Sequence, residues 1–359
     1  MQSIFGIIFH LIGGFASGSF YVPYKKVRGW AWETYWLVGG LFSWLIVPPI
    51  AAWLTVPHFT DIIAQTSAST FWWTYFWGLM WGIGGLMYGL GMRYLGLSLG
   101  NSVLLGFTAA FGALVPSIYY NFHKQPGKTT FNDLLTTSWG RIVLVGIVLC
   151  LIGIYICGKA GVLKEKELSE EKKKETIKEF SLVKGLIVCI ISGILSACFN
   201  YGIEAGSSMA ETANQIWKST HPLETVNFLY RNNVIYIVLL WGGLTTNLIW
   251  CLFLSARNKT FADYTNSRVS LARNYLFCAL AGTAWFTQFF FYGMGESKLG
   301  NGASSWILHM AFVILTANMW GFALKEWKGV STRIRTTIII GVITIILSVM
   351  LVGYGNAIK

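Results

Sequence analysis

Apolar runs of roughly 20 residues, separated by short polar breaks, recur along the whole chain, and that length matches a bilayer crossing. Ten spans are predicted, over about 3–23, 34–54, 70–91, 97–120, 139–158, 183–203, 228–254, 273–294, 299–321 and 336–357. The predicted fold class is an all-α integral membrane protein with ten transmembrane helices. Thr55–Ser69 and Glu204–Val226 are polar and contain proline, which predicts longer exterior loops.

The string Tyr88-Gly89-Leu90-Gly91-Met92-Arg93-Tyr94-Leu95-Gly96 returns as Tyr292-Gly293-Met294-Gly295-Glu296-Ser297-Lys298-Leu299-Gly300. The copies fall between spans three and four and between spans eight and nine, predicting one helix-turn-helix unit used twice. Because they lie five spans apart, an odd offset, the second unit must enter the membrane from the opposite side, giving two inverted five-helix repeats. Weaker echoes agree: Gly6, Gly14, Ser17 and Phe20 match Gly185, Gly193, Ser196 and Phe199, and Gly146 and Gly158 match Gly341 and Gly353. The predicted domains are therefore 1–158 and 183–359, joined by a charged cytoplasmic linker, 159–182, in which Lys and Glu alternate.

Composition supports the bilayer reading, at 54% hydrophobic, 16% aromatic and only 12% charged residues. A net charge of +12 would suit nucleic acid on a soluble protein, but here Lys and Arg gather in the breaks between spans and none lies within a span core except Arg231, near the start of span seven, so the charge reports topology. Lys25, Lys26 and Arg28 fill the first connection, Arg93 the third, and seven lysines from Lys159 to Lys178 the fifth. Arg257, Lys259 and Arg268 follow in the seventh, and Lys325, Lys328, Arg333 and Arg335 in the ninth, so odd connections are expected in the cytoplasm and both termini outside. The six cysteines lie inside apolar runs without a CxxC pair, which predicts no metal site and no cofactor. Met1-Gln2-Ser3 passes into the first run without a basic leader, so no cleaved signal peptide is expected.

Polar side chains inside spans are costly and mark candidate function. His10, Gly14, Ser17 and Tyr21 share one stripe of span one, and Ser192, Ser196 and Asn200 one stripe of span six with Glu204 a turn beyond. Trp285, Gln288 and Tyr292 form a stripe of span eight, and Trp77, Trp81 and Tyr88 one of span three. Ser305 and His309 share a face of span nine, and Asn101 of span four corresponds to Ser305 under the repeat offset. The candidate substrate-binding residues are Tyr21, Trp81, Tyr88, Asn101, Asn200, Trp285, Gln288, Tyr292 and Ser305. Aromatic planes with amides and hydroxyls, and almost no fixed charge, suit a neutral polyhydroxylated small molecule. The candidate proton-coupling groups are His10, His309 and Glu33, the last expected to pair with the basic segment Lys25–Arg28. Each has a plainer reading: the histidines as helix-joining residues, Glu33 as a cap, any one of 17 tryptophans as an interfacial anchor.

His10-Leu11-Ile12-Gly13, Phe20-Tyr21-Val22-Pro23-Tyr24-Lys25-Lys26-Val27 and Trp30-Ala31-Trp32-Glu33-Thr34 together resemble the amino-terminal pattern of the L-rhamnose:proton symporter family. Met80-Trp81-Gly82-Ile83-Gly84, Met92-Arg93-Tyr94-Leu95-Gly96, Gln288-Phe289-Phe290-Phe291-Tyr292, Trp306-Ile307-Leu308-His309-Met310 and Leu324-Lys325-Glu326-Trp327 continue the likeness. The resemblance implies membership of the drug/metabolite transporter superfamily and proton-driven uptake of L-rhamnose, with L-lyxose a further candidate, across a bacterial cytoplasmic membrane. The implied partners are the sugar, protons and the lipid bilayer, with no nucleic acid, and the expected working form is a monomer that is not an enzyme. A drug or metabolite exporter is the competing reading; its type uses a carboxylate in the first span, where this chain has His10.

Overall fold

The structure is a computed structural model that describes residues 2–167, 182–323 and 330–359; within its helices the side chains of Arg93 and Asn101, among others, lie outside that description. So do most of the linker and the segment Leu324-Lys325-Glu326-Trp327. The described residues form helices and no strand. In chain order these are α1 (Gln2–Ser19), α2 (Tyr21–Tyr24), α3 (Trp32–Gly40), α4 (Val47–Thr55), α5 (Phe59–Gln65), α6 (Ala68–Phe122), α7 (Phe131–Thr136) and α8 (Ser138–Glu167). They continue as α9 (Leu182–Ala205), α10 (Ser207–Thr220), α11 (Asn233–Asn258), α12 (Leu271–Leu299), α13 (Gly302–Ala323) and α14 (Thr332–Ala357). Among the described residues, nine helices are long and apolar enough to cross a membrane. Their outer faces carry exposed Ile, Leu, Phe and Met, as on α14 at Ile339, Ile343, Ile346 and Met350, which is the surface a lipid solvent requires.

Three local differences from the sequence reading have physical causes. Spans three and four are one continuous helix, α6, so the first copy of the repeated string makes no turn. Glycine permits a turn without demanding one, and Leu90, Met92, Arg93 and Leu95 are good helix formers. The second copy is helical too up to its last glycine, Gly300, which takes a left-handed φ of +60°, and Asn301 Oδ1 then accepts from Ser304 N at 3.3 Å to start α13. The first long loop contains α5, and the second is largely α10, whose buried side Met209, Ala210, Ala213 and Asn214 explains why it folds rather than trails. The start of the expected linker, up to Glu167, continues α8.

Between α3 and α4, Leu41–Ile46 forms a π-helical turn. Pro48 and Pro49 lack the N–H groups that an α-helix would direct to the carbonyls of Trp44 and Leu45, and the preceding turn widens instead.

The chain forms two compact units, one of Met1–Ile8, Gly84–Asn200 and Leu299–Lys359, the other of Phe9–Ile83 and Tyr201–Lys298. In the first unit α8 and α14 pack through small residues: a Cβ on Gly146 would strike Val352, one on Gly153 would strike Ile345, and one on Gly341 would strike Cys157. In the second unit Gly78 and Gly82 of α6 meet Gly242 and Gly243 of α11 in the same manner, and the Tyr75 and Thr245 hydroxyls lie 2.7 Å apart across that seam.

Candidate functional site

In the second unit a small, half-open cleft is lined by Phe20, Tyr24, Trp36, Gly40, Ser43, Trp44 and Trp285. Its walls come from local features already described. The widened turn carries Ser43 and Trp44, and Ser43 Oγ donates to the Gly282 carbonyl of α12 at 2.9 Å. Gly39 leaves room for the Tyr24 hydroxyl and Gly40 for the Trp44 indole, while Gly282 lets α12 approach the backbone of Gly39. Trp285 stands 5.9 Å from Trp44 and 5.5 Å from Trp81, whose ring lies over Gly243. Trp36 stacks on Trp32 and donates from Nε1 to Asn247 Oδ1 at 3.0 Å.

The chemistry of this cleft is specific. Aromatic faces cover C–H surface, and Trp44 Nε1, on a side chain only 3% exposed, has no hydrogen-bond partner among the described residues. A buried donor left unmade costs about 1–3 kcal/mol, so a hydroxyl that reached this indole N–H would be held by it.

Further along α12, Phe289 packs edge-on to Trp285 at 4.8 Å, and Tyr292 meets the His10 ring edge-on at 5.3 Å. His10 and Tyr292 are buried, and Gly295 makes room for the imidazole. One residue on, Glu296 accepts two hydrogen bonds from Arg231 Nη2, at 3.1 and 3.0 Å, and one from Asn232 Nδ2 at 2.9 Å. The paired side chains are 15% and 17% exposed. Burial acts to lower the Arg231 pKa, but Glu296 outweighs it, with Glu211 and Glu204 adding, so the guanidinium is held above its ordinary value.

At the other end of α12 the connections are stitched by polar groups. Glu33 accepts from Asn258 Nδ2 at 2.9 Å and Thr260 Oγ1 at 3.0 Å. Its partners are therefore these two neutral donors rather than the basic segment expected from the sequence. Asp263 Oδ2 receives Ala31 N at 2.8 Å and Thr34 Oγ1 at 3.0 Å, standing in for the missing cap of α3. Asn274 exchanges two hydrogen bonds with the backbone of Arg28.

Of the residues singled out from sequence, His10, Tyr21, Glu33, Trp81, Trp285, Gln288 and Tyr292 fall in this unit. Trp285 lines the cavity, Trp81 packs beside it, Gln288 is buried, and Tyr21 is exposed on the outer side of Tyr24. Tyr88, Asn200, Ser305 and His309 fall in the other unit, together with Asn101, whose side chain is outside the description. There Asn200 Nδ2 donates to the Gly112 carbonyl at 2.7 Å and Trp306 Nε1 to the Thr108 carbonyl at 2.9 Å, contacts that join helices. Ser305 and His309 are fully buried and Tyr88 is exposed. Sequence reasoning missed Trp36, Ser43 and Trp44, for which the Pro48-Pro49 pair was an available signal, and it missed the pairing of Arg231 with Glu296.

All-helical architecture and apolar outer faces fit a multi-pass membrane protein, and the family match makes it a transporter. The chain belongs to the L-rhamnose-proton symport protein family, whose model matches residues 1–358. L-rhamnose-proton symporters of Yersinia pestis (strain Pestoides F) and Yersinia pseudotuberculosis serotype O:1b (strain IP 31758) are each 37% identical to it over 359 residues, covering 99% of this chain and 98% of the relative.

Proposed function

We propose that the protein takes up L-rhamnose together with protons across a bacterial cytoplasmic membrane, and that the sugar binds in the cleft of Trp36, Ser43, Trp44 and Trp285. Family membership supports the transport reading. The observation that supports the site is the buried, unmatched indole N–H of Trp44, a residue that lines this aromatic cleft. A deoxy sugar offers such a cavity both a hydroxyl edge and a methyl group for the aromatic wall. L-lyxose is a second candidate substrate, and the working form is a monomer.

The reading extends to mechanism. Ten spans in two inverted repeats exchange access to the cleft, with odd connections in the cytoplasm and both termini outside. The pairing of α8 and α14 is reciprocal in the way inversion requires: Gly146 meets Val352, and the repeat partners of these two positions, Gly341 and Cys157, also meet. His10, His309 and Glu33 remain proton-coupling candidates. Uptake of labelled L-rhamnose into energised vesicles tests the function. Accumulation that collapses with the pH gradient is expected; absence of uptake, or indifference to the gradient, contradicts it.

A further inference from the structure

Resting on proton-coupled sugar transport as just proposed, we infer that the carboxylate of Glu296 is a proton-binding site of the cycle, alternating between its ion pair with Arg231 and a neutral, protonated state. The geometry points there for three reasons. Glu296 is an acid within a membrane-spanning helix, and acids so placed are rare and pair with a named partner, here Arg231 with Asn232. It stands in the last turn of α12, where the helix dipole disfavours negative charge, so the charged form depends on Arg231. It also shares a stripe with the cleft: Trp285, Phe289, Tyr292 and Glu296 succeed one another at helical spacing over about 16 Å, at 1.5 Å per residue.

The surrounding charges set how the site works. Around the pair are Glu204 at the end of α9, Glu211 of α10, Tyr236 of α11 and Tyr292 of α12, with His10 of α1 packed against Tyr292 and Gly295. A proton arriving from the side of this helix end forms an O–H bond on Glu296, and the neutral acid releases the guanidinium toward Glu211 and Glu204. Breaking one side of a buried pair is costly, so protonation and local rearrangement occur together. When the cleft opens to the other side the O–H bond breaks, the proton passes to water, and the pair with Arg231 re-forms. Differential stability of the two pairings biases the access equilibrium, as coupling requires.

The test uses the full-length protein in proteoliposomes, with two readouts: L-rhamnose exchange at equal pH, and accumulation driven by an imposed pH gradient. Glu296→Gln is expected to keep exchange while gradient-driven accumulation falls by about tenfold or more. Should the single variant fold poorly, the double variant R231Q/E296Q removes both charges together. A proton-binding role predicts that it exchanges sugar without accumulating it. Accumulation restored in the double variant, unchanged in Glu296→Gln, or loss of exchange in both would overturn the assignment and leave a structural ion pair. Absence of exchange in the unaltered protein would instead refute the transport reading itself.

Discussion

Two contacts in this molecule have the same form and different chemistry. In the second unit His10 of α1 packs against Gly295 of α12; in the first, Cys189 of α9 packs against Gly91 of α6. Gly91 and Gly295 occupy the same place in the repeated string, and the spacing that matches Gly6 to Gly185 also matches His10 to Cys189. A helix meeting a glycine at this point thus occurs in both units, and it admits whatever side chain the partner helix carries. One half carries a fully buried thiol, the other an imidazole on a tyrosine, one residue from a paired carboxylate.

Breaking the two contacts separately sharpens that difference. The largest effect is expected from His10→Ala, which should lower pH-gradient-driven L-rhamnose accumulation by about tenfold, in the 5–150-fold range typical of coupling energies, while Cys189→Ala stays within about twofold. Equal losses in paired uptake assays would mean that the histidine only packs. Next, Gly295→Val drives a branched side chain into the imidazole, and overpacking of this kind costs about 1–3 kcal/mol. Thermal unfolding in detergent should register the loss. Gly91→Val meets the smaller Cys189 Sγ first and should unfold nearer the unaltered protein; the reverse order would show that the two sites are not equivalent scaffolds.

The smallest effect belongs to a polar site with structural partners. Thr130 and Asp133 form a reciprocal capping box at the start of α7, with Thr130 N to Asp133 Oδ2 at 2.8 Å and Asp133 N to Thr130 Oγ1 at 3.1 Å. The hydrogen bond from the Thr130 backbone, followed by that of its side chain, holds the Asp133 pKa below its ordinary value. A lowered carboxylate pKa contributes stability above the ordinary value, near about 3.9, and loses it as pH falls through the lower folded value. Thr130→Ala should cost about 1 kcal/mol near neutrality, and less in acid, without altering the proton coupling that His10→Ala disturbs.

Much of the architecture was legible in the chain because a bilayer solvent leaves few options: apolar runs of crossing length become helices, and the nine found lie where nine of the predicted runs do. The first copy of the repeat was misread as a turn because Gly89, Gly91 and Gly96 allow one; at Gly91 the glycine serves close packing against Cys189. Part of the cleft was visible in Trp285 and Trp81, but Trp44 was lost among tryptophans that serve as anchors, and its placement depends on a widened turn that helical periodicity does not reveal. Glu33 was legible as a helix-start acid, yet its partners Asn258 and Thr260 come from the far half of the chain. Arg231 and Glu296 are 65 residues apart, and no local pattern links them.

The most direct test of the sugar site is L-rhamnose-induced proton entry into proteoliposomes carrying a pH-sensitive dye, comparing the unaltered protein with Trp44→Phe. Loss of the indole N–H while an aromatic ring is retained should raise the L-rhamnose concentration needed for half-maximal proton entry by about tenfold, the equivalent of one hydrogen bond of about 1.4 kcal/mol. An unchanged half-maximal concentration in Trp44→Phe would contradict the assignment of the cleft.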